Sequence, residues 1–154
     1  IWPWFLGVFI ITVIIYLLKK YVFTKKKKEV IIKPKVVISS DVIALNELAI
    51  LKDKELWENG KLKQYHSEIS EILRTYLEER FQILALELPT YDILQNLKNR
   101  NLQKEDLIML TAILQRADLA KYAKSKPTDS ENNESMDLSV DFVKNTKAKE
   151  VRNG

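Results

Sequence analysis

The 154-residue chain has no cysteine, one histidine, three glycines and four prolines. Without cysteine there is no disulfide framework, no Cys-ligated zinc, no iron–sulfur cluster and no thiol nucleophile. One histidine excludes a multi-His metal site and argues against a His-based catalytic dyad. So little glycine excludes collagen-like and Gly-linker classes. Gly-rich phosphate loops, HExxH and EF-hand patterns are also missing. What is present is 46% hydrophobic and 30% charged residues, enough for one domain of about 100 residues plus a tail.

The net charge of +4 is unevenly placed. Residues 19–35 hold eight Lys and one Glu, which is +7; residues 36–154 hold 17 Lys+Arg and 20 Asp+Glu, which is −3. A nucleic-acid-binding domain carries its positive charge on the folded surface. Here it lies beside an apolar run, which points to a membrane.

Residues 1–18, IWPWFLGVFIITVIIYLL, contain no charge. At about 1.5 Å per residue they span roughly 27 Å, and Tyr21, Val22 and Phe23 extend them toward the ~30 Å of a bilayer core. Trp2 and Trp4 are placed as one aromatic belt, Tyr16 and Tyr21 as the other. Lys19, Lys20 and Lys25 to Lys28 follow at once, which sets the C-terminal side as cytoplasmic and the N-terminus as outside. A signal peptide would carry its positive charge before the apolar core and small residues after it, the reverse of this order. The expectation is a single-pass helix over residues 1–23 and a basic juxtamembrane linker over residues 24–40. The lysines serve as a topology signal; juxtamembrane lysines can also gain about 1 kcal/mol each near anionic lipid. A chain opening on Ile1 reads as the C-terminal part of a longer protein.

The rest reads as all-α, a cytoplasmic bundle of four to five helices over residues 41–147 with a disordered tail over residues 148–154. Ser39, Ser40 and Asp41 form an N-cap cluster. A first helix from Val42 to Leu51 or beyond presents Val42, Leu45, Leu48 and Ala49, and Asn59-Gly60 marks a stop. The second, residues 61–85, carries Tyr65, Ile69, Leu73, Tyr76, Phe81 and Leu84 in an apolar arc of about 180°, too wide for one neighbour. Arg74 falls on its wet side. Thr90 is expected to cap a third helix, with Ile93, Leu94 and Leu97 facing inward. A fourth begins at Glu105 and Asp106, with Leu107, Leu110, Ile113, Leu114 and Ala117 as its core face. Residues 124–135 read as loop, and a last helix over residues 135–147 presents Met136, Val140 and Val143.

His66, at the edge of the wide arc, reads as a packing residue; Ser67 and Ser70 beside it lack the rest of a triad. No cofactor, metal or small-molecule substrate is indicated, and no enzyme. Arg80 falls inside the apolar arc, where an unpaired charge is costly. Asp118 borders the core face of the fourth helix, so an Arg80–Asp118 ion pair is expected between the two; the alternative is a recognition arginine in an exposed groove.

The segments ALNELAILKDKELWENGKLKQYHSEISEILRTYLEERF, LPTYDILQNL and LTAILQRADLAKYAKSKPT, after a membrane helix with lysines, are similar to the C-terminal cytoplasmic region of BatD-like proteins of bacterial Bat (aerotolerance) operons. The resemblance runs over residues 1–147 and is most specific at RTYLEERF, Pro89-Thr90 and ADLAKYA. It implies an extracytoplasmic β-sandwich-type region before the membrane helix, and an inner-membrane scaffold linked to stress tolerance. Its partners would be a MoxR-type AAA+ ATPase, a small soluble protein and membrane proteins with von Willebrand factor A domains. No enzymatic activity is implied. The matching positions are Tyr76, Arg80, Phe81, Thr90, Asp118, Lys121 and Tyr122. Tyr91, Lys121 and Tyr122 are the candidate partner-binding residues, since Tyr and Arg are favoured anchors at such sites. The competing reading is a single-pass sensor, for which Gly7 and Pro34 are the only hinge-like residues.

The lysine placement makes a direct prediction. In a Ser130→Cys variant, membrane-impermeant maleimide added to intact cells leaves the thiol unlabelled until the cells are opened. Labelling from outside would reverse the topology.

Overall fold

A computed structural model describes residues 38–100 and 102–148. Five helices run in order: α1 Ser40–Asp53, α2 Leu62–Phe81, α3 Thr90–Lys98, α4 Lys104–Tyr122 and α5 Asp129–Thr146. All belong to one unit, residues 37–154, and the described residues contain no strand. None of these helices is long and apolar enough to cross a membrane. The expected span over residues 1–23, its interface residues Trp2, Trp4, Lys19, Lys20 and Tyr21, and nearly all of the linker lie outside the described residues.

The wide arc of α2 has the consequence expected of it. α2 packs against α1, α4 and α5, burying Tyr65, Ile69, Leu73, Tyr76 and Leu77. α1 closes on α5, α3 packs on α4, and α4 packs on α5. The core is filled from every helix, by Leu48 and Leu51 of α1, Ile93 and Leu97 of α3, Leu110 and Ile113 of α4, and Phe142 and Val143 of α5 among others. The Tyr76 ring meets Phe81 and Phe142 edge to face, at 6.5 and 6.2 Å between centroids, the geometry that ring quadrupoles favour. Its hydroxyl sits 3.0 Å from Thr146 Oγ1. Burial first, and the charge of Asp41 in smaller part, push the Tyr76 phenol above its ordinary pKa.

Several boundaries differ from expectation. α1 turns Ala44, Leu48 and Leu51 inward, while Val42 is exposed. α2 ends four residues early, because Gln82 adopts the left-handed conformation (φ 55°) and its N–H caps the Glu78 carbonyl. The chain beyond then alternates, burying Ile83 and Ala85 and exposing Leu84 and Leu86. Leu84 is therefore outside the core that the helical reading assigned it. Pro89, in an extended conformation, occupies the N-cap of α3; Thr90 is the first helical residue and its hydroxyl does other work. α5 starts at Asp129, inside the expected loop. Thr128 caps it: its hydroxyl accepts from Glu131 N–H and the Glu131 carboxylate accepts from Thr128 N–H, a complete capping box. The signature Thr128-x-x-Glu131 lay within a polar stretch whose Asn132 and Ser135 turn out to be buried.

Those buried polar residues meet α2. His66, fully buried, places Nε2 2.9 Å from Asn132 Oδ1, and the Tyr65 hydroxyl donates to the Asn132 carbonyl at 2.9 Å. His66 is thus a packing residue, as expected, but in the interior. Nδ1 has no partner. A proton there would be a buried donor without an acceptor, so the ring stays neutral, with Nε2–H donating to Asn132. Burial, and less strongly the charge of Arg116 from α4, lower its pKa; the Asn132 hydrogen bond and the Glu131 carboxylate oppose them.

The sign of the pH effect follows. A histidine whose folded pKa is depressed binds protons more readily when unfolded, so its stabilisation is complete above the unfolded value of about 6.5 and is lost as pH falls through the folded value. Between about pH 7 and pH 5 the unfolding free energy of wild type, from urea titration, should fall more steeply than that of His66→Gln, by no more than about 1.4 kcal/mol per pH unit. Parallel profiles would remove His66 from the account.

Candidate interaction site

Three to six residues past the left-handed turn at Gln82, the chain has come back alongside α2. The segment between α2 and α3 has no strand partner for its carbonyls, and these need donors. Arg74 supplies them. Its Nη1 donates to the carbonyls of Ala85 (2.8 Å) and Leu88 (2.5 Å), its Nε to Ser70 Oγ (3.1 Å) and its Nη2 to Thr90 Oγ1 (3.1 Å). The Thr90 hydroxyl then donates to Asp118 Oδ2 at 2.6 Å. One guanidinium therefore ties α2 to the connecting segment and, through Thr90, to α3 and α4. A planar fork with five donors can do this; an ammonium cannot.

The cradle forms one wall of a groove of about 770 Å³. Glu71 and Arg74 of α2, Leu86 and Glu87 of the connecting segment, and Lys121 and Tyr122 of α4 line it, with Asp118 between. Two of the three residues singled out from sequence, Lys121 and Tyr122, thus lie on this groove. Tyr122 is 75% exposed and Lys121 Nζ lies 5.3 Å from its ring centroid, within cation–π range. Tyr91 is 70% exposed but does not line the groove. Leu86, 48% exposed, was missed because the helical reading ran through residue 85.

Arg74 was missed as well. It lies on the polar side of α2 by helical angle, and only the returning chain makes that side half-buried. The sequence signal is weak: a glycine-free connection after α2, ended by Leu88-Pro89-Thr90, whose carbonyls must find donors.

Arg80 and Asp118 do not pair. Arg80 Nε donates to the Thr146 carbonyl at 2.9 Å at the end of α5, and its guanidinium lies 5.0 Å from the Phe81 ring centroid. Asp118 is bound to Thr90. The helical angles place the two residues on suitable faces but at the wrong height. α2 and α4 run antiparallel, so Arg80 shares a depression with Leu102, Gln103 and Asp106 at the start of α4. Asp118 is twelve residues further on, a rise of roughly 18 Å. Among the described residues the ion pairs are Lys54–Glu68 and Arg116–Glu134, both 2.7 Å. The described residues hold no cluster of three or more metal-ligating side chains.

Removing the Arg74 fork leaves several acceptors without a donor, at about 1–3 kcal/mol for a buried one. Arg74→Met should therefore lower the unfolding free energy by about 2–3 kcal/mol in urea at unchanged m-value, and Arg74→Lys should recover only part of it. Asp118→Asn keeps an acceptor for Thr90 and should cost under about 1 kcal/mol. Equal costs for Arg74→Met and Asp118→Asn would refute the cradle as the organising contact. No family model, curated protein or solved structure matches this chain.

Proposed function

We propose that the chain is a membrane-anchored scaffold or adaptor, with its helical domain on the cytoplasmic face of a bacterial inner membrane and its groove as a protein-binding site. The observation that carries this reading is the pairing of Leu86 and Tyr122 as exposed apolar side chains on one groove, braced from behind by Arg74. Tyrosine is a favoured anchor of protein contacts, and Leu86 adds apolar area beside it on a cleft held rigid in advance. The charged groups there do not form a nucleophile–base pair: Arg74 is engaged by carbonyls and Asp118 by a hydroxyl. The apolar run and lysine block support the membrane address. Anchoring would confine the domain to a surface and raise the effective concentration of partners confined to it, so a modest groove suffices.

The resemblance to BatD-like proteins supplies the partner class: a MoxR-type AAA+ ATPase and membrane proteins with von Willebrand factor A domains. Leu86→Ser combined with Tyr122→Ser alters exposed residues and should leave thermal stability within about 0.5 kcal/mol. It should reduce recovery of the MoxR-type ATPase with the full-length protein from mild detergent by about tenfold, a loss of ~1.4 kcal/mol. Unchanged recovery after deletion of residues 41–147 would rule the reading out.

A further inference from the structure

The groove between α2, the connecting segment and α4 is charged as well as apolar. Glu71, Glu87 and Asp118 line it together with Arg74 and Lys121, three carboxylates to two cations. Neither cation neutralises a carboxylate there. The ion pairs among the described residues are Lys54–Glu68 and Arg116–Glu134, and neither lines this groove. Arg74 commits four of its five N–H groups to Ser70, Ala85, Leu88 and Thr90. Lys121 Nζ sits 5.3 Å from the Tyr122 ring centroid.

Asp118 is the carboxylate with a fixed orientation. Its Oδ2 accepts from the Thr90 hydroxyl at 2.6 Å, and Arg74 in turn donates to Thr90. Its Oδ1 has no hydrogen bond among the described residues. Nor is it sealed from water, since among the described residues the buried side-chain atom without a partner is His66 Nδ1. Oδ1 therefore reaches solvent, beside exposed Leu86 and Tyr122 on the same groove. A carboxylate oriented in advance next to apolar area suits a cation carried on an apolar stem.

We infer that the groove takes an arginine side chain of its partner, with Asp118 as the acceptor; this rests on the groove being the protein-binding site. Arginine fits better than lysine. Its planar fork offers five donors, enough for Asp118 and a second carboxylate, and it is more weakly hydrated than an ammonium. Its stem can lie along Leu86. The three acids act at different ranges. Glu71 and Glu87 are exposed, so they steer the encounter and are screened by salt. Asp118 is half-buried, so its attraction persists in salt and sets specificity. An acidic guest would find one spare Arg74 N–H and the Lys121 ammonium, set among three carboxylates. An uncharged guest would cover Asp118 Oδ1 and leave it unpaired, which is costly.

The probe is the peptide acetyl-Ala-Leu-Arg-Leu-Ala-amide, with citrulline or glutamate in place of arginine as controls. Citrulline keeps the shape and removes the charge. With the full chain in an uncharged mild detergent, the arginine peptide should shift the amide resonances of Leu86 and Tyr122. It should bind about tenfold more tightly than the citrulline peptide. Asp118→Asn keeps an acceptor for Thr90, so it should fold as wild type and lose that preference at every salt concentration. Glu71→Gln with Glu87→Gln should weaken binding about threefold at about 50 mM salt and leave it unchanged at about 500 mM. Equal affinity for arginine and citrulline, tighter binding of the glutamate peptide, or no shift at either residue would overturn the inference. Recovery of the MoxR-type ATPase separates it from the groove assignment beneath it. Loss of the ATPase with Leu86→Ser plus Tyr122→Ser, but not with Asp118→Asn, leaves the groove standing without its arginine anchor. Recovery unchanged by all three substitutions removes the groove itself.

Discussion

The Arg74 guanidinium is the constraint on which the outer half of this domain depends. Hydrophobic burial assembles α2 with α1, α4 and α5, but it is non-directional. It does not fix the course of a connection that exposes every second side chain. The fork of Arg74 does, by donating to two carbonyls and to the Thr90 hydroxyl at the head of α3. The groove is a consequence. Its apolar edge at Leu86 lies in the segment whose carbonyls Arg74 binds, and its far edge at Lys121 and Tyr122 follows from where Thr90 meets Asp118 on α4.

A second polar centre lies two turns earlier on α2, around His66. Asn132 is bound at its side chain by His66 and at its carbonyl by Tyr65. On the neighbouring turns, Arg116 of α4 donates to the Glu131 carbonyl and Ser135 hydroxyl of α5. The two centres share a logic. In each, a buried or half-buried polar side chain from a long helix saturates groups on a later element, so burial of that element carries little unsatisfied polarity. His66 Nδ1 is the exception, and burial holds the ring below its ordinary pKa.

The helical periodicity was enough to read an all-α bundle of four to five helices and the central place of α2, whose arc of Tyr65, Ile69, Leu73 and Tyr76 is buried as its spacing implied. Angle on a helix was legible; height was not. Arg80 and Asp118 were paired by angle alone, although the antiparallel run of α2 and α4 sets them at opposite ends. The start of α5 was legible too, in Thr128-x-x-Glu131, but its polar residues pointed to a loop until Asn132 and Ser135 were seen to be buried. Gln82 in the left-handed region carries no glycine to announce it, and that one residue moved Leu84 from core helix to exposed segment. The role of Arg74 depends on backbone carbonyls eleven and fourteen residues away, which no side-chain pattern encodes.

Tyr76 joins the two ends of the domain. It lies near Asp41, in the first turn of α1, and touches Thr146, in the last turn of α5; further along, Leu45 to Lys52 of α1 line a shallow cleft with Met136 to Lys144 of α5. The first and last helices are therefore antiparallel neighbours whose outer ends sit together. Tension applied between residues 38 and 148 would load this pair in an unzipping geometry, opening α1 from α5 one turn at a time instead of shearing all their contacts at once. The weak direction of the domain thus lies between its own ends, whereas a pull applied at α1 and at the groove would have to work against α2 and the Arg74 cradle together.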